Sequence, residues 1–316
     1  MNIPVLLFNI LIFPGALFII LAGLLLAGID RKVLAHMQRR VGPPIIQPLY
    51  DFLKLLGKET IIPKAACTAA YLGAPVAGFL ALVFTGLLIS VSGYSVLNIP
   101  GELIVILYML TIPAAAVIVG GASSGSPFAG VGISREMVTM LAYELPFIMV
   151  LLSVAAKAGE GGIEFSLRGI SAWQMTNGCM AFHWALIPAA LAMLLIIPAE
   201  VGTQPFDTAE AETEICEGPL VEYSGFPLAI FKLNSCMKMF IMSSLFTFLF
   251  FGGIDTGSVI LNAVILVAIC VLVTVISMTF IHGITARLKI EHLFKFYWTV
   301  VAGLSAVSLI LVWIGL

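Results

Sequence analysis

Long apolar stretches constrain this chain more than any other feature of its sequence. A stretch of about 18 or more apolar residues with few charges is typical of a membrane-spanning helix. The eight candidate spans are residues 3–29, 69–92, 102–120, 135–157, 183–199, 234–252, 257–281 and 295–315. Charged residues make up only 10% of the sequence, and no sizeable soluble part remains between the spans. We therefore predict one all-α integral membrane domain over residues 1–316, a bundle of eight transmembrane helices.

The distribution of basic residues predicts the orientation of this bundle. Thirteen of the fifteen Lys and Arg residues fall in or beside four of the connecting segments. Cytoplasmic loops are enriched in Lys and Arg, so we predict that these four loops are cytoplasmic and that both termini lie outside. The predicted cytoplasmic loops are residues 30–68, 121–134, 200–233 and 282–294. The chain is thus expected to be a multi-pass protein of the cytoplasmic (inner) membrane.

The first span is expected to be retained, because it has no preceding basic region and no small-residue cleavage motif. Its 27 residues would extend about 40 Å at about 1.5 Å per residue, which exceeds the roughly 30 Å hydrocarbon core. We therefore expect the first helix to be long and tilted.

Cysteine and histidine are too dispersed to suggest a metal centre. The five cysteines include no Cys-x-x-Cys pair, and the four histidines lie far apart in the sequence. Iron–sulfur, zinc and haem sites need a suitable set of Cys or His ligands, so no metal or redox centre is expected in this chain. The glycine-rich fingerprints of nucleotide-binding loops are also absent from the sequence. We therefore assign no catalytic, cofactor-binding or metal-binding residues and expect no nucleic-acid partner.

The first predicted cytoplasmic loop opens with a basic segment, residues 31–40, and its charges suit contact with anionic lipid. After Gly42-Pro43-Pro44, apolar residues recur at helical spacing. This pattern predicts a short amphipathic helix that lies at the membrane interface or docks a partner against it. The basic residues are Arg31, Lys32, Arg39 and Arg40, and the apolar ones are Leu49, Phe52, Leu53 and Leu56.

The second predicted cytoplasmic loop, "GGASSGSPFAGVGISRE", consists of small and turn-forming residues that can pack closely against other backbone. It leads to Arg135 and Glu136 at the start of the fourth span, where Ser134 would cap the helix. Glu144 lies deeper, near the bilayer midplane. A charge there costs about 2.5–3.5 kcal/mol, so Glu144 is a functional candidate that should face protein or water. The alternative is a structural carboxyl group bonded to Tyr143 or a neighbouring helix.

Seven of the seventeen acidic residues crowd the acidic segment, defined here as residues 200–222. The segment could be a solvated acidic surface, a proton relay, or one side of a charged axis whose other side is the basic segment 31–40. Its Pro, Tyr and Gly residues suggest a loop folded back on itself. A helix over 208–217 would place Glu210, Glu214 and Glu217 on one face. The seven acids are Glu200, Asp207, Glu210, Glu212, Glu214, Glu217 and Glu222.

These loops resemble those of the complex I subunit 1 family, over essentially the whole chain. The resemblance is carried by "DRKVLAHMQRRVGP", "QPLYDFLKLLGKE", the span with Arg135 and Tyr143-Glu144, and the acidic segment with "EYSG". Within that family, "GPPIIQP", "SGSPFAG" before "SREM", and "AEAETEICEGPLVEYSG" are more similar to energy-converting membrane-bound nickel–iron hydrogenases, including formate hydrogenlyase. Quinone-reducing members typically have Asn-Arg after the Ala-Glu, where this chain has Val201, Gly202 and Thr203.

The resemblance implies a coupling subunit that docks a soluble redox arm and links its electron transfer to H⁺ or Na⁺ translocation. Its implied partners are hydrogenase large and small subunits, an iron–sulfur subunit, antiporter-like membrane subunits and lipid. Iron–sulfur clusters and a nickel–iron centre would reside in those partners. The implied ion-coupling residues are Glu136, Glu144 and the seven acids of the acidic segment. The implied docking and charge-axis residues are Arg31, Lys32, Arg39, Arg40, Arg135 and Lys238.

Three other functions compete with this one. The chain could be the quinone-binding membrane subunit of a complex I-type dehydrogenase. It could instead be a free-standing secondary transporter that uses the acidic segment as an ion gate, although no inverted internal repeat is evident. A passive anchor would explain the docking loops but would leave Glu144 without a role.

Overall fold

We describe the chain from a computed structural model, over residues 3–89, 99, 101–159, 162–252 and 256–315. The described residues are helical apart from loops and turns. The helices are α1 (Ile3–Leu11), α2 (Ala16–Met37), α3 (Gln47–Leu56), α4 (Thr68–Leu88), α5 (Glu102–Ser124), α6 (Pro127–Ala158), α7 (Leu167–Asn177), α8 (Ile187–Val201), α9 (Glu212–Ile215), α10 (Gly225–Phe251), α11 (Val259–Thr274), α12 (Phe280–Ile284), α13 (Ile290–Phe296) and α14 (Ala302–Trp313). π-helical turns join α11 to α12 and α13 to α14, at Val275–Thr279 and Tyr297–Val301.

The predicted all-α membrane architecture is confirmed. Seven helical segments of the described chain are long and apolar enough to cross a bilayer: Leu7–Met37, Thr68–Leu88, Glu102–Ser124, Pro127–Ala158, Gly225–Phe251, Val259–Ile284 and Ile290–Trp313. The remaining predicted span, 183–199, corresponds to α8, which is apolar but has only 15 residues. At about 1.5 Å per residue α8 is about 22 Å long, shorter than the roughly 30 Å hydrocarbon core.

The first span differs in detail from the predicted helix over 3–29. It is interrupted between α1 and α2 at Phe13-Pro14-Gly15, because proline has no backbone N–H with which to continue the helix. A side chain on Gly15 would overlap the carbonyl of Ile10. Beyond the apolar part, α2 continues to Met37, so the predicted loop at 30–68 begins eight residues later than expected.

The second predicted loop, 121–134, is almost entirely helical, which corrects the sequence interpretation. α5 runs to Ser124 and α6 begins at Pro127, so only Gly125 and Ser126 connect them. Ser134 therefore lies inside α6, where its hydroxyl donates to the carbonyl of Val131 instead of capping a helix. The 32 residues of α6 extend about 48 Å, so its first turns project beyond the hydrocarbon core.

Helix α10 forms the centre of the bundle. It packs against α2, α4, α8 and α11. In its most apolar stretch of 18 residues, 89% is buried inside the protein. It begins at Gly225, nine residues before the predicted span, so the predicted loop at 200–233 is shorter than expected. The fourth predicted loop also starts late, because α12 extends to Ile284.

The connecting segments with the most basic residues meet on one face of the bundle, the loop face. The amide of Cys67 donates to the carbonyl of Ser123 at 3.0 Å, and that of Leu288 donates to the carbonyl of Pro205 at 3.2 Å. The amide of Ile61 donates to the hydroxyl of Ser224 at 2.9 Å. The four loops that the charge distribution assigned to one side therefore lie together.

Candidate functional site

The short α8 explains why the acidic segment enters the bundle. Because α8 ends before it could cross a bilayer, the chain after Val201 continues as irregular backbone whose residues are largely buried. Irregular backbone at membrane depth is tolerated where protein surrounds it or where it lines a water-filled cavity. Here it is surrounded by helices, and it closes one wall of a cavity between α5, α6, α8 and α10.

This cavity encloses about 70 Å³, enough for several water molecules. Its wall carries apolar residues from α5, including Pro113 and Val117, but polar groups converge on it from the other elements. The ionisable residues of its described lining are Glu136 from α6, Glu200 from α8, Asp207 and Glu210 from the acidic segment, and Lys238 from α10. Four of the predicted carboxylates and one predicted cation are thus brought together.

The closest charged pair in the cavity joins α8 to α10. Lys238 Nζ lies 2.8 Å from Glu200 Oε1, and the two side chains are only 9% and 4% exposed. The contact is an ion pair without regular hydrogen-bond geometry at this oxygen. The hydroxyl of Tyr143, on α6, also contacts Glu200. Because burying an ion pair requires desolvating both charges, a pair in this position is poor evidence of stability and a better indication of function.

Glu136 and Glu144 differ in their access to the cavity. Glu136 is half-buried in the lining and interacts electrostatically with Lys238, Glu200 and Glu210. Glu144 is also half-buried, but it lies outside the lining and interacts with Glu200. The acids on α6 therefore connect electrostatically to the buried pair, with Glu144 placed deepest along the helix.

Arg135 attaches the acidic segment to the start of α6. Its Nη1 lies 2.5 Å from Glu214 Oε2 and donates to the carbonyl of Thr208 at 3.3 Å. One turn further along α6, the hydroxyl groups of Thr139 and Thr208 are 3.1 Å apart and hydrogen-bonded. The predicted role of Arg135 as a docking charge thus corresponds to a contact within this chain.

Arg287, which the sequence interpretation missed, pairs with Asp207. Its Nη2 donates to Asp207 Oδ2 at 2.9 Å. Burial raises the pKa of Asp207 above its usual range, although the nearby positive charge of Arg287 opposes that rise. The pair links the chain after α12 to the cavity wall. The sequence signal was the cluster of basic residues before the last span, which was used only for orientation.

Two tyrosines, Tyr71 and Tyr223, fix the end of the acidic segment against α4. Their rings stack with centroids 4.1 Å apart. Tyr71 donates to the carbonyl of Glu222 at 2.7 Å, and Tyr223 donates to the carbonyl of Tyr71 at 3.1 Å. That carbonyl needs a donor because the residue four positions later is Pro75, which has no N–H. Burial raises the pKa of Tyr223 to about 12, so it remains a hydrogen-bond donor at neutral pH.

Glycines of the second predicted loop allow the acidic segment to approach the helices closely. A methyl group on Gly132 would lie 2.5 Å from Pro219 Cδ, and one on Gly121 would lie 3.0 Å from Pro219 Cβ. The segment also doubles back on itself, since a methyl group on Gly218 would overlap the carbonyl of Ala209. Close packing by these small residues, predicted from the sequence, is what the structure shows.

The remaining acids do not form the predicted helical stack. Only Glu212–Ile215 is helical within 208–217, so Glu210, Glu214 and Glu217 do not share a helix face. Glu217 is half-buried with φ +68°, Glu222 is exposed, and the side chain of Glu212 lies outside the described part of the chain. The turn-forming residues that surround α9 explain its shortness.

The described contacts of the basic segment 31–40 are local, so a charge axis between this segment and the acidic segment stays a prediction. Arg31 pairs with Asp51 at 2.8 Å, and Arg40 bonds to Gln38. Hydrogen bonding to Arg31 lowers the pKa of Asp51. Arg39 is exposed and Lys32 half-buried. The cations that pair with acids of the acidic segment come from α6, α10 and the chain after α12: Arg135, Lys238 and Arg287.

The amphipathic helix predicted after the basic segment is α3. Leu49 and Phe52 pack against the core, while Leu53 and Leu56 are 54% and 39% exposed. Its exposed apolar side remains suited to lipid or to a partner. As for metals, no group of three or more His, Cys, Asp or Glu ligands occurs within the residues that the structure describes.

Comparison with known proteins identifies the family. The family profile described as NADH dehydrogenase matches residues 9–313. An NADH-quinone oxidoreductase subunit from Geobacillus kaustophilus (strain HTA426) is 31% identical over 316 residues, covering 94% of this chain and 93% of that protein. The chain belongs to the NADH dehydrogenase subunit 1 family. NADH-ubiquinone oxidoreductase chain 1 of Chondrus crispus is 36% identical over 237 residues, covering 71% and 69%.

A solved structure extends this similarity to the fold. A chain of the membrane-bound sulfane sulfur reductase, an archaeal respiratory membrane complex, has a TM-score of 0.85 and 31% identity with this chain. The match covers 93% of this chain and 96% of the other. This member of the NADH dehydrogenase subunit 1 family is therefore a multi-pass membrane protein, and its relatives are subunits of respiratory membrane complexes.

Proposed function

We propose that this chain is the coupling subunit of a multisubunit energy-converting hydrogenase of the formate hydrogenlyase type. In this proposal the loop face is cytoplasmic and docks the soluble hydrogenase large, small and iron–sulfur subunits. Electron transfer in that arm drives H⁺ or Na⁺ movement through this chain and antiporter-like membrane partners. The nickel–iron and iron–sulfur centres belong to the partners, and the chain itself supplies the ionisable groups.

The cavity is the observation that supports coupling. The buried pair of Glu200 and Lys238 and the half-buried Glu136 form a charged cluster that lines a cavity able to hold water. Intramembrane ionisable groups that face a water-filled cavity are typical of ion and proton pathways. The acidic segment makes the outer wall of this cavity and also contributes exposed carboxylates to the loop face. A partner that docks there could alter the electrostatic balance of the cluster.

A quinone-binding subunit of a complex I-type dehydrogenase is the second candidate, favoured by the names of the relatives from Geobacillus and Chondrus. One observation supports the hydrogenase instead: the motifs of the loop regions resemble the hydrogenase branch. Purifying the complex and measuring its nickel and quinone contents would separate the two candidates.

Glu144→Gln tests the coupling role in inverted membrane vesicles. We expect dye-linked activity of the redox arm to stay within about twofold, because the arm carries that chemistry. Ion movement driven by the natural donor should fall roughly 100-fold, the usual range for losing a proton-transfer group. Glu164→Gln is the matched control, since Glu164 follows the end of α6 that lies opposite the acidic segment. Normal ion movement in Glu144→Gln would contradict the proposal.

A further inference from the structure

Asn234 of α10 brings to the cavity wall a buried oxygen that the charged cluster does not account for. The residue is 5% exposed and belongs to the cavity lining. Its Nδ2 donates to the carbonyl of Pro75 on α4 at 3.1 Å, which fixes the orientation of the amide because a backbone carbonyl can only accept. Gly78 leaves space for this amide, since a methyl group on Gly78 would lie 3.0 Å from Nδ2. The side-chain oxygen Oδ1 accepts no hydrogen bond from any residue that the structure describes.

Oxygen atoms at the end of α8 converge on the same cavity. Glu200 Oε1 is buried, and its 2.8 Å contact with Lys238 Nζ lacks regular hydrogen-bond geometry. Helix α8 ends at Val201, and the amides that follow bond back only to the carbonyls of residues 198 and 199. The last two carbonyls of the helix therefore have no amide of α8 left to accept from. Because both Glu200 and Val201 line the cavity, the negative end of the α8 dipole lies at its wall.

The cavity also carries an excess of negative charge. The ionisable residues of its described lining are four carboxylates and Lys238. Arg287 pairs with one of these carboxylates, that of Asp207, from outside the lining. Of the other three, Glu136 is attracted to Lys238 and repelled by its two acidic neighbours. A further cation in the cavity would therefore lower the electrostatic free energy of the cluster.

We propose that the cavity binds one Na⁺ ion, held by Asn234 Oδ1, the carboxylate of Glu200, the carbonyl end of α8 and water. A cation of this kind takes several oxygen ligands at once, whereas a protonated carboxyl group donates a single hydrogen bond. Helices that end inside the membrane present their C-terminal carbonyls to Na⁺ in ion-coupled transporters in the same way. A divalent ion fits less well, because no group of three or more His, Cys, Asp or Glu ligands occurs in the described part of the chain.

Na⁺ and the ammonium group of Lys238 compete for the carboxylate of Glu200. Entry of the ion releases Lys238 towards Glu136, its other carboxylate neighbour. Occupancy of the cavity is therefore linked to the contact between α6 and α10, which is what a coupling site requires. The Na⁺ site rests on the proposed coupling role of the cavity, but Na⁺ binding can be measured without any redox turnover.

Equilibrium binding of ²²Na⁺ to the purified membrane complex, with choline chloride keeping the ionic strength constant, tests the site. We expect Asn234→Leu to weaken the binding of one Na⁺ per complex by roughly tenfold or more, the usual scale for a lost contact between a dipole and a charge. Glu200→Gln should weaken it further, because it removes a negative charge. Gln174→Leu is the matched control: its amide oxygen is also buried without a hydrogen bond from the described residues, but its nitrogen donates to Leu249 at the other end of α10. Gln174→Leu should leave Na⁺ binding unchanged.

Lys238→Met separates Na⁺ binding from folding, and it still tests the site if Asn234→Leu prevents assembly of the complex. Removing the competing ammonium group should tighten Na⁺ binding. A ligand that binds the folded state stabilises it by mass action, so replacing choline chloride with NaCl should raise the melting temperature of Lys238→Met more than that of the unaltered complex. Unchanged Na⁺ binding in Asn234→Leu, or weaker binding in Lys238→Met, would overturn the Na⁺ site. The coupling role would survive that outcome with H⁺ as the ion, because the Glu144→Gln test measures ion movement and not Na⁺ binding.

Discussion

The cavity holds more negative than positive side chains, and this imbalance determines how much stability each single substitution should cost. Four carboxylates face one ammonium group in its described lining. Lys238→Met would leave buried carboxylates without their cation, which typically costs about 3–5 kcal/mol. Glu200→Gln should cost less, because Glu136 still interacts with Lys238. We therefore expect a lower thermal stability of the purified complex for Lys238→Met than for Glu200→Gln.

The double variant is the control for this residue-scale prediction. Replacing a whole buried ion pair is often close to neutral, so Glu200→Gln with Lys238→Met should be more stable than Lys238→Met alone. A cost of the double variant equal to the sum of the two single costs would mean that the 2.8 Å contact contributes no coupling energy. Such a result would remove the pair from the centre of the site.

Sequence reasoning at the residue scale found most of the acids and two of the three cations that pair with them, but not which residue pairs with which. Glu136, Glu200, Asp207 and Glu210 share one cavity, as their crowding suggested. The family resemblance implied Arg135 and Lys238 as charge-axis residues, and both pair with acids of the segment. The individual pairs could not be assigned, because charge patterning identifies a side of the membrane and not a contact across 80 residues such as Asp207 with Arg287.

At the scale of elements, α6 offers two glycines that separate helix propensity from packing. Gly130 and Gly132 both lie in the first turns of α6, and Ala at either position should favour the helix by up to about 1 kcal/mol. A methyl group on Gly130 meets nothing within 4 Å, whereas one on Gly132 would lie 2.8 Å from Pro219 N. We expect Gly132→Ala to destabilise the acidic segment by about 1–3 kcal/mol.

Limited proteolysis of the assembled complex would measure this difference. Cleavage within residues 202–224 should accelerate in Gly132→Ala and remain unchanged or slow in Gly130→Ala. Equal cleavage rates in the two variants would show that the segment does not need the close approach to α6.

The same region shows why element boundaries were harder to predict than elements. Gly and Ser disfavour a helix by only about 1 kcal/mol or less per residue, and tertiary packing can override such preferences. The small residues of 121–134 therefore continue α5 and α6 instead of forming a loop. Packing favours this outcome, because Pro219 lies where side chains on Gly121 and Gly132 would otherwise be. The eight apolar stretches were recognisable because burial in a bilayer requires long runs of apolar residues.

At the scale of the whole molecule, the arrangement of loops on one face followed from the sequence, but the side of the membrane stays a prediction. Two native cysteines can test it. Cys67 and Cys216 are both exposed, and they lie in loop-face segments before α4 and within the acidic segment. The positive-inside rule predicts that both face the cytoplasm. A membrane-impermeant maleimide should therefore label them in inside-out vesicles and not in right-side-out ones.

Cys216 also reports on docking of the soluble arm, because it belongs to the acidic segment beneath the proposed docking site. With the arm attached, we expect its labelling in inside-out vesicles to be at least severalfold slower than after the arm is stripped. Cys216→Ser identifies the signal, and Cys67 gives a second thiol on the same face. Labelling of these cysteines in right-side-out vesicles would show that the orientation is the reverse of the predicted one. Equal rates before and after stripping would mean that the acidic segment is not covered, so a partner could not act on the cavity through it.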